Sequence, residues 1–207
     1  MIRTENDEVL LENEDVTDRL IKAIAWNIEK QGTCGSKRGT YMRDFFTLDI
    51  ESSTIGKNSD TPIAFAYSIA IYIDNTAIMF RHWRDYLSFI SRLTDCLELN
   101  KNKKLVCYIH NLPYEFQFMR TFMHMTEVFA TQKRKVVKCR CDGIEYRCSY
   151  KLTNMSLEKF TASIPNIKHP KLEGEEFDYS QLRTPNTKIK PKEADYIFND
   201  VAGLYEA

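Results

Sequence analysis

Apolar and polar residues alternate over residues 45–53, FFTLDIESS, a period of two that predicts a β-strand with two distinct faces. Phe46, Leu48, Ile50 and Ser52 share a face apolar enough for a core, and Phe45, Thr47, Asp49 and Glu51 share the other. A polar turn, GKNSDTP, precedes an apolar run over residues 63–73, and Asp74-Asn75 reads as a hairpin turn into a third strand, 76–83. From about 84 to 99 the period lengthens to that of a helix, with Tyr86, Leu87, Phe89, Ile90, Leu93, Cys96 and Leu97 on one broad face. A basic turn over 101–104 leads into a fourth strand, 105–109, and then a second helix over about 112–125. Alternation returns over 127–152 around Asp142-Gly143, predicting an antiparallel hairpin, EVFATQKRKVVKCRC against IEYRCSYKL. A short helix (156–162), a Pro- and Lys-rich loop and a last helix complete the chain. That helix starts with Pro191, the favoured first residue, and has Glu193 in its first turn.

Residues 1–42 read as an appendage. Val16, Leu20, Ile21, Ile24 and Ile28 fall at helical spacing within residues 15–30, with Thr17 or Asp15 as cap. A linker, QGTCGSKRGT, follows, and the helix can dock on the main domain or on a partner. The main domain, 43–207, has the order βββαβα, then a hairpin and a terminal helix. This order resembles the ribonuclease-H-like nucleases, an α/β class with a mixed sheet flanked by helices, here with a β-hairpin insertion.

The 207 residues fit one domain, or one plus an appendage, and 43% hydrophobic residues supply its core. Formal net charge is zero, so nucleic-acid binding would have to come from local patches. No apolar run can span a bilayer, and the polar start, MIRTENDEVLLENEDV, is not a signal peptide. A soluble, cytoplasmic setting without a membrane is expected, in the host if the source is viral. The six cysteines match no zinc spacing and are expected reduced and structural.

Asp49 and Glu51 sit side by side on a strand that reads as central. Like charges that close repel, and burial makes each harder to keep ionised. A divalent cation with hard oxygen ligands, Mg²⁺ or Mn²⁺, relieves both costs; the alternative is a solvated acidic patch. Glu115 joins the apolar stripe of its helix with Phe118, Met119 and Phe122, which suits a metal ligand or a helix-start Glu. Tyr196 and Asp200 are four residues apart on the last helix and share a face, either functional or an ordinary polar flank. Four carboxylates from three elements can hold two metal ions roughly 4 Å apart, the arrangement that stabilises attacking and leaving oxygens in phosphodiester cleavage.

The segments LDIES, HNLPYEF and YIFND resemble the three exonuclease motifs of family-B DNA polymerases, D-x-E, N-x₂₋₃-[FY]-D and Y-x₃-D, most closely those of the protein-primed bacteriophage branch. Cys148-Ser149-Tyr150 and the stretch Asn154 to Lys159 resemble the segment that contacts the single strand in that branch. The resemblance spans roughly residues 43–207. It implies a 3′–5′ exonuclease that proofreads the 3′ end of single-stranded DNA with two Mg²⁺ or Mn²⁺ ions. It gives Asp49 the bridging position, Glu51 and Asp200 the ion carrying the attacking water, and Glu115 the second ion. Tyr196 would orient the water or the phosphate. Ser52, Asn111, Tyr114, Ser149 and Tyr150 fall where the family grips terminal nucleotides. The family also places a lysine shortly before the last motif, and Lys171 is the nearest candidate. Glu115 stands where the family has Asp. Every polymerase motif is absent, which fits an excised domain, part of a split polymerase with the polymerase module on another chain, or a stand-alone relative.

Lys133, Arg134, Lys135, Lys138 and Arg140, with Arg147 and Lys151, can track a phosphate backbone or keep a hairpin edge solvated. His110 abuts the second motif and is expected to pack. The rival to an exonuclease is a weakly active or inactive domain that binds DNA or protein.

Overall fold

The computed structural model describes residues 1–37, 39–172 and 181–207. The alternating stretch lies in β4 (Gly39–Ile55), which pairs antiparallel with β5 (Ile63–Ile73). β5 turns through Asp74 and Asn75 into β6 (Thr76–Phe80); both turn residues have positive φ, 47° and 54°, so the primed hairpin turn forms here without glycine. Helix α2 (Trp83–Cys96) crosses to β7 (Lys103–Ile109), which lies parallel to β4 on its other side. Helix α3 (Leu112–Phe122) follows, then β8 (Thr126–Ala130), β9 (Val136–Cys141) and β10 (Ile144–Cys148). Two short helices, α4 (Ser149–Thr153) and α5 (Leu157–Ala162), precede the terminal α6 (Pro191–Glu206). The central order β6-β5-β4-β7-β10, with β5 antiparallel to its neighbours and β4, β7 and β10 parallel, is the expected ribonuclease-H-like α/β sheet.

The two faces of β4 are the ones the alternation predicts. Phe46, Leu48 and Ile50 enter a core shared with Trp83, Tyr86 and Phe89 of α2 and Leu112 and Met119 of α3. The opposite face packs on α6: Thr47 Oγ1 donates to the Val201 carbonyl at 2.7 Å, and Ala194, Ile197 and Val201 meet Tyr67, Ala70 and Tyr72 of β5. The sheet is thus covered on both sides, as the mostly buried stretch of β4 over residues 46–53 requires.

Residues 1–42 are built into this sheet and core. β1 (Ile2–Arg3) pairs with β2 (Val9–Glu12), which runs parallel to β6, and the linker residues form β3 (Thr33–Ser36) against the start of β4. Helix α1 (Asp18–Gln31), capped by Thr17 Oγ1 accepting from Leu20 N–H at 3.2 Å, buries Ile21, Ile24 and Ile28 in the main core. Of its two docking options, α1 takes the main domain. The expected hairpin keeps its Asp142-Gly143 turn, but its arms differ. Thr131 to Lys135 break the first arm into β8 and β9. The second arm, β10, pairs parallel with β7 as a central strand, because Ile144, Tyr146 and Cys148 all enter the core. The Pro- and Lys-rich loop falls partly on residues 173–180, outside the described residues, as does Arg38 of the linker. Among the described residues no helix is long and apolar enough to cross a membrane.

Candidate active site

The last β4–β7 partners are Leu48 and Ile109, so residues 49–55 run beyond the carboxyl end of a parallel pair, where open α/β sheets leave a crevice. A cleft of 540 Å³ opens there, lined by Asp49, Glu51, Tyr114, Lys171, Tyr196 and Asp200 among others. Opposite it the β4–β5 register breaks: Glu51 pairs with Ser68 but Ser52 with Ala66, leaving Tyr67 as a bulge beside Glu51. Such bulges re-aim side chains next to functional sites.

One carboxylate oxygen each from Asp49, Glu51 and Asp200 lie within 4.8 Å of one another. Glu51 and Asp200 are buried and Asp49 is half-buried. Lys171 brings the compensating charge. Its Nζ donates to both oxygens of Asp200, at 2.5 and 2.6 Å, and to the Tyr196 hydroxyl at 2.7 Å, while lying 4.1 Å from the centre of the Tyr196 ring. Residues far apart on α6, on β4 and in the loop after α5 therefore converge on one point.

Burial first, then mutual repulsion, makes these acids hard to ionise. Burial raises the Asp49 carboxyl, opposed by Lys171 and the Ile50 N–H. Glu51 is pushed well up by burial and by the charges of Asp49 and Asp200, with Lys171 and Arg183 opposing. Burial and Asp49 push Asp200 up to about 7 in spite of Lys171. Glu115, buried on α3, is raised well above the usual carboxylate range by burial and then by Asp49 and Glu51.

Glu115 does not join the close triple, yet its Oε2 is buried without a hydrogen-bond partner. An orphaned oxygen of this kind costs about 1–3 kcal/mol. Hard carboxylate oxygens, crowded together with one of them unsatisfied, fit a divalent cation of the Mg²⁺ or Mn²⁺ kind. Asp49, Glu51 and Asp200 could hold it, with Glu115 beside them.

Of the remaining predicted residues, Ser52 and Tyr114 line the cleft, whereas Asn111, Ser149 and Tyr150 are not among its lining residues. Ser52 Oγ and the Tyr114 hydroxyl share a hydrogen bond of 2.8 Å. Asn111 is exposed in the left-handed region (φ 68°, ψ 43°) at the start of α3, a conformation Asn tolerates better than most residues. Tyr114 and Tyr150 present exposed rings. Ser149, by contrast, is buried and shares a 3.0 Å hydrogen bond with His110 Nδ1, and the His110 ring meets Tyr150 edge-on at 5.7 Å. Burial, then Lys171, pushes His110 down to about 4, so it packs as a neutral ring.

Three contributors had no sequence motif. Buried Arg183 bonds Glu193 Oε1 through Nε at 3.0 Å and Nη2 at 2.6 Å, and its backbone N–H donates to Ser53 Oγ, tying the loop before α6 to β4. Tyr67 keeps a buried hydroxyl without a hydrogen-bond partner, and burial and the charge of Glu51 raise its phenol. The β4–β5 tip, with Ile55 and Lys57, and Leu182 form the outer cleft wall. Arg183 and Leu182 lie in a loop without periodicity, and nothing in a β-strand's alternation marks Tyr67 as a bulge.

No protein-family model and no curated protein matches the chain. Among solved structures, "Phi29 DNA polymerase complexed with single-stranded DNA" is similar with a TM-score of 0.58 and 14% identity, over 79% of this chain and 30% of that one. The chain therefore spans under a third of that polymerase. The catalytic core of RRP6 from Trypanosoma brucei has a TM-score of 0.49 and 12% identity, over 98% of this chain and 45% of that one. The Nibbler EXO domain from Aedes aegypti has a TM-score of 0.46 and 9% identity, over 97% and 85%. The likeness to the phi29 structure is one of fold.

Proposed function

We propose that the chain is a metal-dependent 3′–5′ exonuclease that removes terminal nucleotides from single-stranded DNA, as the proofreading part of a phage-type family-B polymerase. The observation that carries this reading is the meeting of Asp49, Glu51 and Asp200 beside Lys171 and Tyr196 in one cleft. The order of the three motifs and the fold shared with a polymerase solved on single-stranded DNA support it. Mg²⁺ or Mn²⁺, held by Asp49, Glu51 and Asp200 and by Glu115 at the second position, would supply an activated water and stabilise both oxygens of the displacement.

The chain's own residues do the rest. Lys171 is the cation in direct contact with the site and offsets charge that develops on the phosphate. By donating to the Tyr196 hydroxyl it also fixes that phenol where it can orient the water or a phosphate oxygen. Tyr114, steadied by Ser52, and Tyr150, steadied by His110, stack on the terminal bases. Asn111 offers its exposed amide to the same nucleotides. A polymerase module, on the same or a separate chain, is the expected partner.

Incubating a 5′-labelled single strand with the protein and Mg²⁺ should give a ladder of shorter products, insensitive to an equal amount of RNA of the same sequence. Preferential loss of the RNA would overturn the substrate. Tight binding with no shortening in Mg²⁺ or Mn²⁺ would favour a binding module instead.

A further inference from the structure

The amino ends of β4 and β7 hold a second concentration of charge. A pocket of 470 Å³ there is lined by Lys37, Lys101, Lys104, Lys138 and Arg140, with Glu127 and Glu145. Five cations against two carboxylates leave an excess of three positive charges in a chain whose formal net charge is zero. Both carboxylates are engaged: buried Glu145 by Arg147 Nε at 2.7 Å and the Tyr41 hydroxyl at 3.0 Å, and Glu127 by Arg140 at 2.5 Å.

The pocket is also held rigid. The Tyr41 ring lies 4.9 Å from the Lys104 ammonium and 5.2 Å from the Arg147 guanidinium. Asn100 Oδ1 accepts from the N–H groups of Asn102 and Lys103, which fixes the turn carrying Lys101. Gly39, at φ 113°, lets Thr40 N–H reach the Asn102 carbonyl at 2.6 Å; a Cβ on Gly39 would lie 2.7 Å from that same oxygen. Solvated edge lysines do not explain the pocket, because its cations come from the turns before β4 and β7, from β7, and from β9, which lies inside the sheet.

β9, three strands from β4 in the sheet order, runs between this pocket and the cleft's end of the sheet. It runs antiparallel to β10, with Arg140 opposite Glu145 and Lys138 opposite Arg147, so its first residue lies toward the cleft end. The exposed turn before it carries Lys133, Arg134 and Lys135. A line of cations thus descends the sheet alongside the six residues of β9, roughly 20 Å at ~3.3 Å each.

We infer that this line is a phosphate track, which binds the backbone of a single strand several nucleotides away from the end held in the cleft. The inference rests on the proposed nucleic-acid substrate, but its test reads binding and needs no cleavage. In EDTA, the full chain should bind a labelled strand long enough to span the domain far better than a tetranucleotide. Lys37→Gln/Lys101→Gln/Lys138→Gln should bind the long strand about tenfold more weakly, with the salt slope shallower by about 0.7 for each phosphate that is no longer neutralised. Its affinity for the tetranucleotide should not change. Lys37→Gln/Lys101→Gln, which alters only exposed side chains, gives the same reading if the triple variant misfolds. Wild-type affinity and salt slope in these variants would overturn the inference. So would an equal loss in Lys22→Gln/Lys192→Gln, which changes exposed lysines elsewhere. Should the wild type bind the long strand without shortening it in Mn²⁺, the nuclease reading falls and the track stands; no binding to the long strand overturns the track itself.

Discussion

Replacing Glu115 by Gln separates what a site needs for binding metal from what a fold needs for stability. Glu115 is buried with Oε2 unpaired, and Asp49 and Glu51 repel its charge. Glutamine keeps the shape, removes the charge and turns an amide donor toward those carboxylates. The unsatisfied oxygen costs about 1–3 kcal/mol, so recovering part of it should stabilise the metal-free protein by about 1–2 kcal/mol. For a chain of this length that is a rise in Tm of roughly 2–8 °C, read by calorimetry in EDTA. Mn²⁺ should reverse the ranking. A cation at 100 times its Kd stabilises the wild type by about 2.7 kcal/mol, and a ligand set short of one carboxylate binds it more weakly and gains less. A variant less stable than wild type in EDTA, or one that gains as much from Mn²⁺, would refute this account of Glu115.

The pH dependence follows from the same crowding. Asp49, Glu51, Glu115 and Asp200 all titrate above their ordinary values in the folded chain, so the folded state holds extra protons. Their contribution to metal-free stability is therefore complete below the usual carboxylate range and lost as pH rises, for Asp200 through about 7; urea titrations in EDTA should show the decline, and saturating Mn²⁺ should flatten it. Lys171→Met should lower kcat by roughly 10²–10³-fold with little change in strand affinity, measured in single-turnover digestion. Arg183→Met strands buried Glu193 and should cost about 3–5 kcal/mol by denaturant unfolding. Ile24→Ala on α1 should cost about 2–5 kcal/mol, because its side chain is fully in the core; a near-zero cost would mean that α1 is not part of the folded unit.

What could be read from the sequence was whatever one element decides by itself. The alternation of β4 placed Asp49 and Glu51 together and kept Phe46, Leu48 and Ile50 on the other side, as the two cores bear out. Helical spacing put Glu115 among apolar neighbours and Tyr196 above Asp200, and the structure buries all three. What escaped depends on pairing between distant segments. β1 and β2, of two and four residues, are too short to announce themselves. They are held partly by Asp195, whose carboxylate accepts from the Glu5 N–H at 2.7 Å across 190 residues. β10 hides as a hairpin arm because Glu145 and Arg147 look solvent-facing, whereas Glu145 is buried through Tyr41 and Arg147. Lys171 lies in an aperiodic loop, and only a family pattern pointed to it.

Digestion of a 5′-labelled single strand by the wild type and by Asp49→Ala/Glu51→Ala tests the central claim most directly. Stepwise 3′ shortening by the wild type in Mg²⁺ or Mn²⁺, none in EDTA and none by the folded double variant is the predicted result. Shortening that survives the double substitution, or that proceeds without a divalent cation, would contradict it.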